Sequence, residues 1–308
     1  MTSLISVVIC TYNPRESYLN RTLAALYNQT LPKTEWELIL VDNNSCGKIS
    51  DKLDLSKYDN IKVVIEKQVG IAHARIRGMK EAKSDLLLFV DDDNVLEEKY
   101  LEKALQIAHD FPQMGVFGGQ LIPEFEAQPA NELKPYLSAL AIREFERDKW
   151  CNFPLDSVFN PVTAGMCLRR SVAQKHIQVL ASRKESYAMG SIGKNMNRGE
   201  DDDICYTAGE MGVGVGIFTS LKLTHLIPAE RVTQNYLVSL HEGIVFSGYV
   251  LSYIRGKFIR PPYRTWRWRI GVWWQLLKMS QVEKRFAQAK IRAERRAWEA
   301  IQVMEKSA

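Results

Sequence analysis

The 308-residue chain is poor in the features that mark several protein classes. It has five cysteines, Cys10, Cys46, Cys151, Cys167 and Cys205, and no two have C-x-x-C spacing. An odd, scattered set excludes a disulfide scaffold or a structural zinc knuckle and predicts reduced thiols in a cytoplasmic setting. Glycine (18) and proline (11) are too few and too aperiodic for a collagenous or low-complexity chain. The first residues carry no basic stretch ahead of an apolar one, so no secretory signal is expected. The longest apolar stretch, Gly243–Ile254, falls short of the roughly 20 residues a bilayer span needs, which predicts a soluble or surface-bound protein.

What remains is ordinary globular material, 46% hydrophobic and 25% charged, enough for a substantial core. The charge is unevenly spread. The net charge is +5, yet residues 255–308 alone carry +10, leaving −5 on the rest. Five of the seven tryptophans (Trp266, Trp268, Trp273, Trp274 and Trp298) lie in the same basic stretch. A basic tail on an acidic body suggests an anionic partner surface.

The first half reads as alternating strand and helix. Leu4–Cys10, Trp36–Val41, Ile61–Ile65 and Asp85–Val90 are short, β-branched or leucine-rich runs, as buried parallel strands are. Between them lie helical stretches to about Gln29 and over Gly70–Ala82. A helix over Glu97–His109 and a strand over Gly115–Ile122 follow. This order implies βαβ units in a mostly parallel sheet. The second half is less regular: a helix about Glu132–Arg147, a strand Val162–Arg169, a polar surface loop Ser182–Gly199, a helix to about Met211, an extended Val213–Leu223 and a helix around Arg231–Ile254.

Parallel sheets bind ligands at the carboxyl ends of their strands. Three polar loops leave strands there: Thr11-Tyr12-Asn13, Asp42-Asn43-Asn44 and Asp91-Asp92-Asp93. Three carboxylates after an apolar strand cannot all be buried unpaired. In an extended segment alternate residues share a side, so Asp91 and Asp93 are expected to converge while Asp92 turns away. Two converging carboxylates suit Mg²⁺ or Mn²⁺ bridging a diphosphate. A solvated acidic loop is the plain alternative.

Taken in order, TYN, VDNNS, GIAHAR, VDDDN and GEDDD resemble the motif set of glycosyltransferase family 2, the inverting nucleotide-sugar transferases of GT-A fold. The resemblance covers roughly residues 4–254. It implies an α/β, Rossmann-like, mostly parallel sheet flanked by helices, with a C-terminal helical extension. It divides the chain into a catalytic domain, 1–254, and a basic, Trp-rich extension, 255–308. Within the first, 1–122 would bind the nucleotide-sugar and 123–254 the acceptor.

The resemblance also implies roles. Thr11, Tyr12, Asn13, Asp42 and Asn44 fall in loops that hold the nucleotide; a carboxylate at Asp42 can accept the imide N–H of uracil, which favours a UDP donor. Arg75 matches an arginine near the base and phosphates, although the asparagine that usually follows it is Ile76 here. Asp93 matches a metal ligand, and Asp91 and Asp92 contact ribose or metal. Asp201 matches the general base, which deprotonates an acceptor hydroxyl as it attacks the anomeric carbon; Glu200 is the neighbouring alternative. His225, after an extended segment, suits a third ligand to Mn²⁺. Gly165-Met166 would line the acceptor side. Trp150 is either a sugar-stacking residue or core, and Arg231 either reaches a phosphate or lies at the surface.

In the tail, Ile270, Trp273, Trp274 and Leu277 recur at helical spacing among Arg264, Arg267, Arg269, Lys278, Lys284 and Arg285. Such a helix suits an anionic membrane surface over 264–296, at the cytosolic face, and fits a lipid-linked or polysaccharide glycan acceptor. Packing on the catalytic domain is the alternative. Ala287–Met304 reads as a second charged helix suited to oligomerisation. Two further readings are a sugar nucleotidyltransferase, against which the TYNPRE loop argues because it lacks glycine, and nucleic-acid binding by the tail, which leaves the carboxylates unexplained.

Overall fold

The computed structural model describes residues 4–47, 49, 55, 58, 60–152, 159–183, 199–257 and 276–307. The expected surface loop within Ser182–Gly199 and the Trp-rich stripe from Arg264 to Trp274 fall largely outside them.

The described chain divides into two compact units. The first comprises residues 1–124, 141–187 and 200–227. Its centre is β1 (Ile5–Thr11), a strand of seven residues all buried. Parallel neighbours flank it: β2 (Trp36–Asp42) on one side and β4 (Leu86–Asp91) on the other, with β3 (Ile61–Ile65) beyond β2. Past β4 the sheet becomes antiparallel. There β8 (Cys167–Arg169) pairs with β4 and with β6 (Met114–Phe125). Next comes β9 (Gly214–Ile227), which also pairs with β5 (Asn94–Leu96) and β7 (Lys149–Cys151). Among the described residues these nine strands form one mixed sheet. In the parallel half a helix, Glu16–Tyr27, lies between β1 and β2 and another, Ile71–Glu81, between β3 and β4, the kind of crossover that parallel pairing requires.

Strand alternation sorts the core into two faces. On one, Ile5, Val7, Ile9, Leu38, Leu40, Leu88 and Val90 pack with Leu19, Leu23 and Leu26 of α1 (Glu16–Tyr27) and with Leu101, Ala104 and Ile107 of α3 (Tyr100–Asp110). On the other, Val8, Cys10, Ile39, Val41, Leu87 and Phe89 pack with three helices. These are α2 (Ile71–Glu81), α4 (Arg170–Ala181) and α5 (Glu200–Glu210). Gly78 lets α2 lie close on the sheet: a Cβ there would sit 2.3 Å from Cγ1 of Val8.

The irregular half departs from expectation in three places. The helix expected over Glu132–Arg147 is a 3₁₀ segment, Asn131–Leu140. Pro135 sits inside it and removes a backbone donor that an α-helix needs. The strand expected over Val162–Arg169 is confined to Cys167–Arg169, because residues 162–166 form a turn around Gly165 (φ +77°). The helix α4 was not expected; its buried side, Val172, Ala173, His176 and Leu180, has helical spacing but is short and interrupted by histidine.

The second unit comprises residues 125–140, 188–199 and 228–308. In it α6 (Gln234–Ile254) packs along α7 (Gln281–Ser307). Glu242 accepts from both Arg292 and Arg296, Arg285 donates to Asn235, and Tyr249 donates to Glu294. Tyr136 stacks on Phe286 with centroids 3.5 Å apart. The charged helix expected over Ala287–Met304 is therefore present and longer. The apolar stretch expected to be too short to span a bilayer is the end of a longer helix: among the described residues α6 alone is long and apolar enough to cross a membrane, by length and composition, with about a third of its most apolar part buried.

Candidate active site

Most sequence-derived site residues lie in the first unit, at the carboxyl ends of β1, β2 and β4, at the start of α5 and near the end of β9, with Arg75 on α2; Arg231 lies in the second unit. The first two loops brace each other. Asn13 adopts φ +49°, donates its N–H to Ser45 Oγ (2.8 Å) and accepts from the Cys46 N–H (2.8 Å). Asp42 is buried and accepts from the Ser45 N–H (3.0 Å), closing the turn in which Asn44 adopts φ +63°. Asparagine tolerates the left-handed region better than other non-glycine residues. Tyr12 projects outward, 53% exposed. Asn43, which sequence reasoning passed over, is buried; it donates to the carbonyls of Glu66 and Gln68 and accepts from the Gly70 N–H. It thereby fixes the start of α2, which carries Arg75.

The three aspartates go three ways. Asp92 accepts from the Thr11 hydroxyl at 2.5 Å, tying the β4 turn to the β1 loop. Asp91 lies 3.5 Å from Arg75 Nη2. Asp93 is buried, accepts from Asn94 Nδ2 (3.0 Å) and lies 3.5 Å from Nε2 of His225. Asp91 and Asp93 were expected to converge along extended backbone; the backbone turns there instead, yet the groups stay close enough that the Asp93 and His225 charges both act on Asp91. Strand β4 ends at Asp91, Asp92-Asp93 forms the turn, and the Asp91 N–H is capped by Asn94 Oδ1 (3.0 Å). Among the described residues no three His, Cys, Asp or Glu side chains gather as a ready-made metal site. Asp93 and His225 are nevertheless neighbours, because Asn94 pairs with His225 across β5 and β9.

Arg75 is buried and joins the motifs. Its Nη1 donates to Glu200 (2.8 Å), and its Nη2 donates to Thr163 Oγ1 (2.7 Å) and approaches Asp91. Its expected contact with base and phosphates must therefore compete with these partners. Burial disfavours charge on Arg75, yet Glu200, Asp91 and Asp201 hold its basicity above the ordinary range. Burial also raises Asp91 and Glu200 above the usual carboxylate range, against the pull of Arg75. Glu200 and Asp201 open α5, where the helix dipole favours anions. Asp201 is half-buried, with no hydrogen bond to its carboxyl among the described residues.

The rest of the acidic run is structural. Asp202 accepts from Asn160 (2.8 Å), and Asp203 is buried against Arg183 (3.1 Å). Thr163 and Asn160 escaped sequence reasoning because a lone polar residue in a proline-flanked loop carries no spacing signal. Gly165 sits in the same turn. Trp150 is 49% exposed on β7, so it is not core.

The decisive comparison is with family models: residues 6–174 match glycosyl transferase family 2. The chain belongs to that family. Among relatives, a poly(ribitol-phosphate) beta-glucosyltransferase of Bacillus spizizenii is 39% identical over 102 residues, 32% of this chain and 16% of that protein. The poly(ribitol-phosphate) beta-N-acetylglucosaminyltransferase TarP of Staphylococcus aureus is 33% identical over 101 residues, 32% of this chain and 31% of that protein. The chain thus matches no more than about a third of either relative's length. A crystal structure of S. aureus TarS 1–349 in complex with UDP-GlcNAc superposes with a TM-score of 0.55 at 16% identity, covering 93% of this chain and 79% of that one. The family 2 chain and TarS share their α/β fold.

Proposed function

We propose that this family 2 protein is an inverting glycosyltransferase that moves a sugar from a UDP-sugar to a hydroxyl of a glycan or lipid-linked glycan. The observation that carries the reading is the Arg75 guanidinium held between Asp91 and Glu200: it draws the nucleotide-side turn and the acceptor-side helix to one rim of the sheet. The UDP-GlcNAc complex of TarS and the poly(ribitol-phosphate) acceptors in the relatives' names support a UDP donor and a cell-envelope glycan acceptor.

In this reading residues 1–122 take the donor and 123–254 the acceptor. Tyr12 offers an exposed ring and Asp42 a carboxylate to the uracil, while Thr11, Asn13 and Asn44 shape the loops around the nucleotide. Asp201 takes the acceptor hydroxyl proton as that oxygen forms its bond to the anomeric carbon. The bond from that carbon to the β-phosphate oxygen breaks on the opposite face, its electron pair leaving with UDP, so the configuration inverts. Glu200 is the poorer base because its carboxylate already accepts from Arg75.

Asp93 and His225 fit a divalent cation. An oxygen and a nitrogen donor lie 3.5 Å apart on buried side chains, and His225 Nδ1 is buried with no hydrogen-bond partner among the described residues. Asp91 is the nearby third carboxylate. Mn²⁺ or Mg²⁺ held there would offset charge on the departing diphosphate. The basic, Trp-rich composition of 264–296 supports a peripheral position at an anionic, cytosolic membrane surface, where a lipid-linked acceptor is presented, although Arg285, Arg292 and Arg296 are already engaged with α6. The exposed Trp150 is suited to stack on an acceptor sugar.

A product assay tests the reading. Incubation with UDP-GlcNAc, UDP-glucose or UDP-galactose, Mn²⁺ and poly(ribitol phosphate) as acceptor should liberate UDP as the sugar passes to an acceptor hydroxyl. Release of pyrophosphate from a nucleoside triphosphate and a sugar phosphate would instead identify a nucleotidyltransferase.

A further inference from the structure

We propose that Arg75 is a positioning residue that sets the first turn of α5, and with it the Asp201 carboxyl, rather than a ligand of the donor diphosphate. The proposal rests on the glycosyltransferase reading above. Four separate segments meet on this one guanidinium: Arg75 from α2, Asp91 from the end of β4, Thr163 from the loop before β8, and Glu200 as the first residue of α5.

The geometry is specific to arginine. Nη1 points at Glu200 and Nη2 at both Thr163 and Asp91. The planar fork serves divergent acceptors at fixed angles, which a lysine ammonium on a flexible stem cannot do. The side chains of Arg75 and Glu200 are each only 9% exposed, and the guanidinium lies 6.0 Å above the Phe89 ring. Such a buried group has little surface left for a diphosphate, and removing either partner of a buried pair leaves an uncompensated charge. Glu200 Oε1 is also buried with no hydrogen-bond partner among the described residues, so Arg75 is the anchor of that carboxylate. Since Asp201 follows Glu200 directly in the first turn of α5, fixing one fixes the other.

The test is a double-mutant cycle on full-length protein with Arg75→Lys, Glu200→Gln and the double variant. Two quantities are measured: UDP affinity by calorimetry with Mn²⁺, and, with poly(ribitol phosphate) present as acceptor, the kcat for UDP release from whichever of UDP-GlcNAc, UDP-glucose and UDP-galactose the wild type turns over. For a residue that acts through Glu200, R75K keeps UDP affinity within about threefold while kcat falls about 10- to 100-fold, the loss expected of a misplaced reacting group. Adding R75K to E200Q should then cost less than about threefold more, because coupled residues are not additive. If R75K does not fold, E200Q alone should show the same split, with kcat lost and UDP affinity kept. A loss of UDP affinity above about tenfold with kcat preserved, or effects that multiply fully in the double variant, would overturn the positioning role and make Arg75 a phosphate ligand. No turnover of any of the three donors by wild type would overturn the glycosyltransferase reading and this proposal together.

Discussion

Nε2 of His225 lies 3.5 Å from Oδ2 of Asp93, although 131 residues of sequence separate them. The strand pairing that sets Asn94 opposite His225 creates this contact, and the Leu226 N–H donates to the Asp93 carbonyl (2.9 Å) to fix it. A hard carboxylate oxygen and a borderline imidazole nitrogen together suit Mn²⁺.

If that pair holds the cation, Asp93→Ala and His225→Ala should each weaken Mn²⁺ binding at least about tenfold, given that loss of even a supporting group commonly costs that much. Electron paramagnetic resonance of free Mn²⁺, titrated against protein with UDP present, measures it directly. Unchanged Mn²⁺ affinity in both variants would remove the pair from the metal site. Chelation of the metal should abolish UDP release from wild type, with recovery on adding Mn²⁺.

Gly165 links stability to the site. Its φ is +77°, and a Cβ there would meet Leu223 Cδ2 and the Tyr100 hydroxyl, each at 2.6 Å. The Tyr100 hydroxyl also donates to the Gly165 carbonyl (2.7 Å), so that ring does not give way freely. Gly165→Ala should destabilise the protein by about 1–3 kcal/mol, the usual cost of overpacking. It should also slow UDP release, because the same turn carries Thr163. Urea unfolding of the two proteins reads the first effect; an unchanged midpoint would contradict it.

Asp202 gives a pH-dependent test. Burial, with Asp201 beside it, raises its pKa, and the Asn160 hydrogen bond only partly offsets this. A carboxyl raised on folding contributes stability that is present below its unfolded pKa, near 3.8, and lost as pH rises through the folded value. At neutral pH the charge therefore costs stability. Asp202→Asn keeps an acceptor for Asn160 and removes that charge. It should raise Tm by about 1–4 °C at pH 7.5, with the gain shrinking toward zero below pH 3.8. A lower Tm at pH 7.5 would contradict the assignment.

Much of the first half was legible because short, β-branched or leucine-rich runs such as Ile5–Ile9 and Leu86–Val90 fit buried strands by length and composition, and each is followed by a polar loop. The acidic motifs were legible for the same reason: carboxylates that follow a buried strand need partners. Their directions were not. Whether Asp91 and Asp93 share a side depends on where the strand stops, and the Asn94 cap that turns the chain is a local hydrogen bond without a periodic signature. Arg75 was visible as a motif residue, but its partners Thr163 and Glu200 come from distant segments that only the folded sheet brings to α2. The 3₁₀ segment around Pro135 replaced a helix that side-chain pattern favoured and proline chemistry forbids.

The most direct measurement is the effect of Asp201→Asn on chemistry and on binding in the same preparation. Asp201, the proposed base, lies in the first turn of α5 beside a carboxylate that Arg75 already holds. Single-turnover UDP release in Asp201→Asn should fall about 10²- to 10⁴-fold, the usual contribution of a general base, while calorimetric UDP affinity with Mn²⁺ stays within about threefold of wild type. Full turnover in Asp201→Asn would contradict the account.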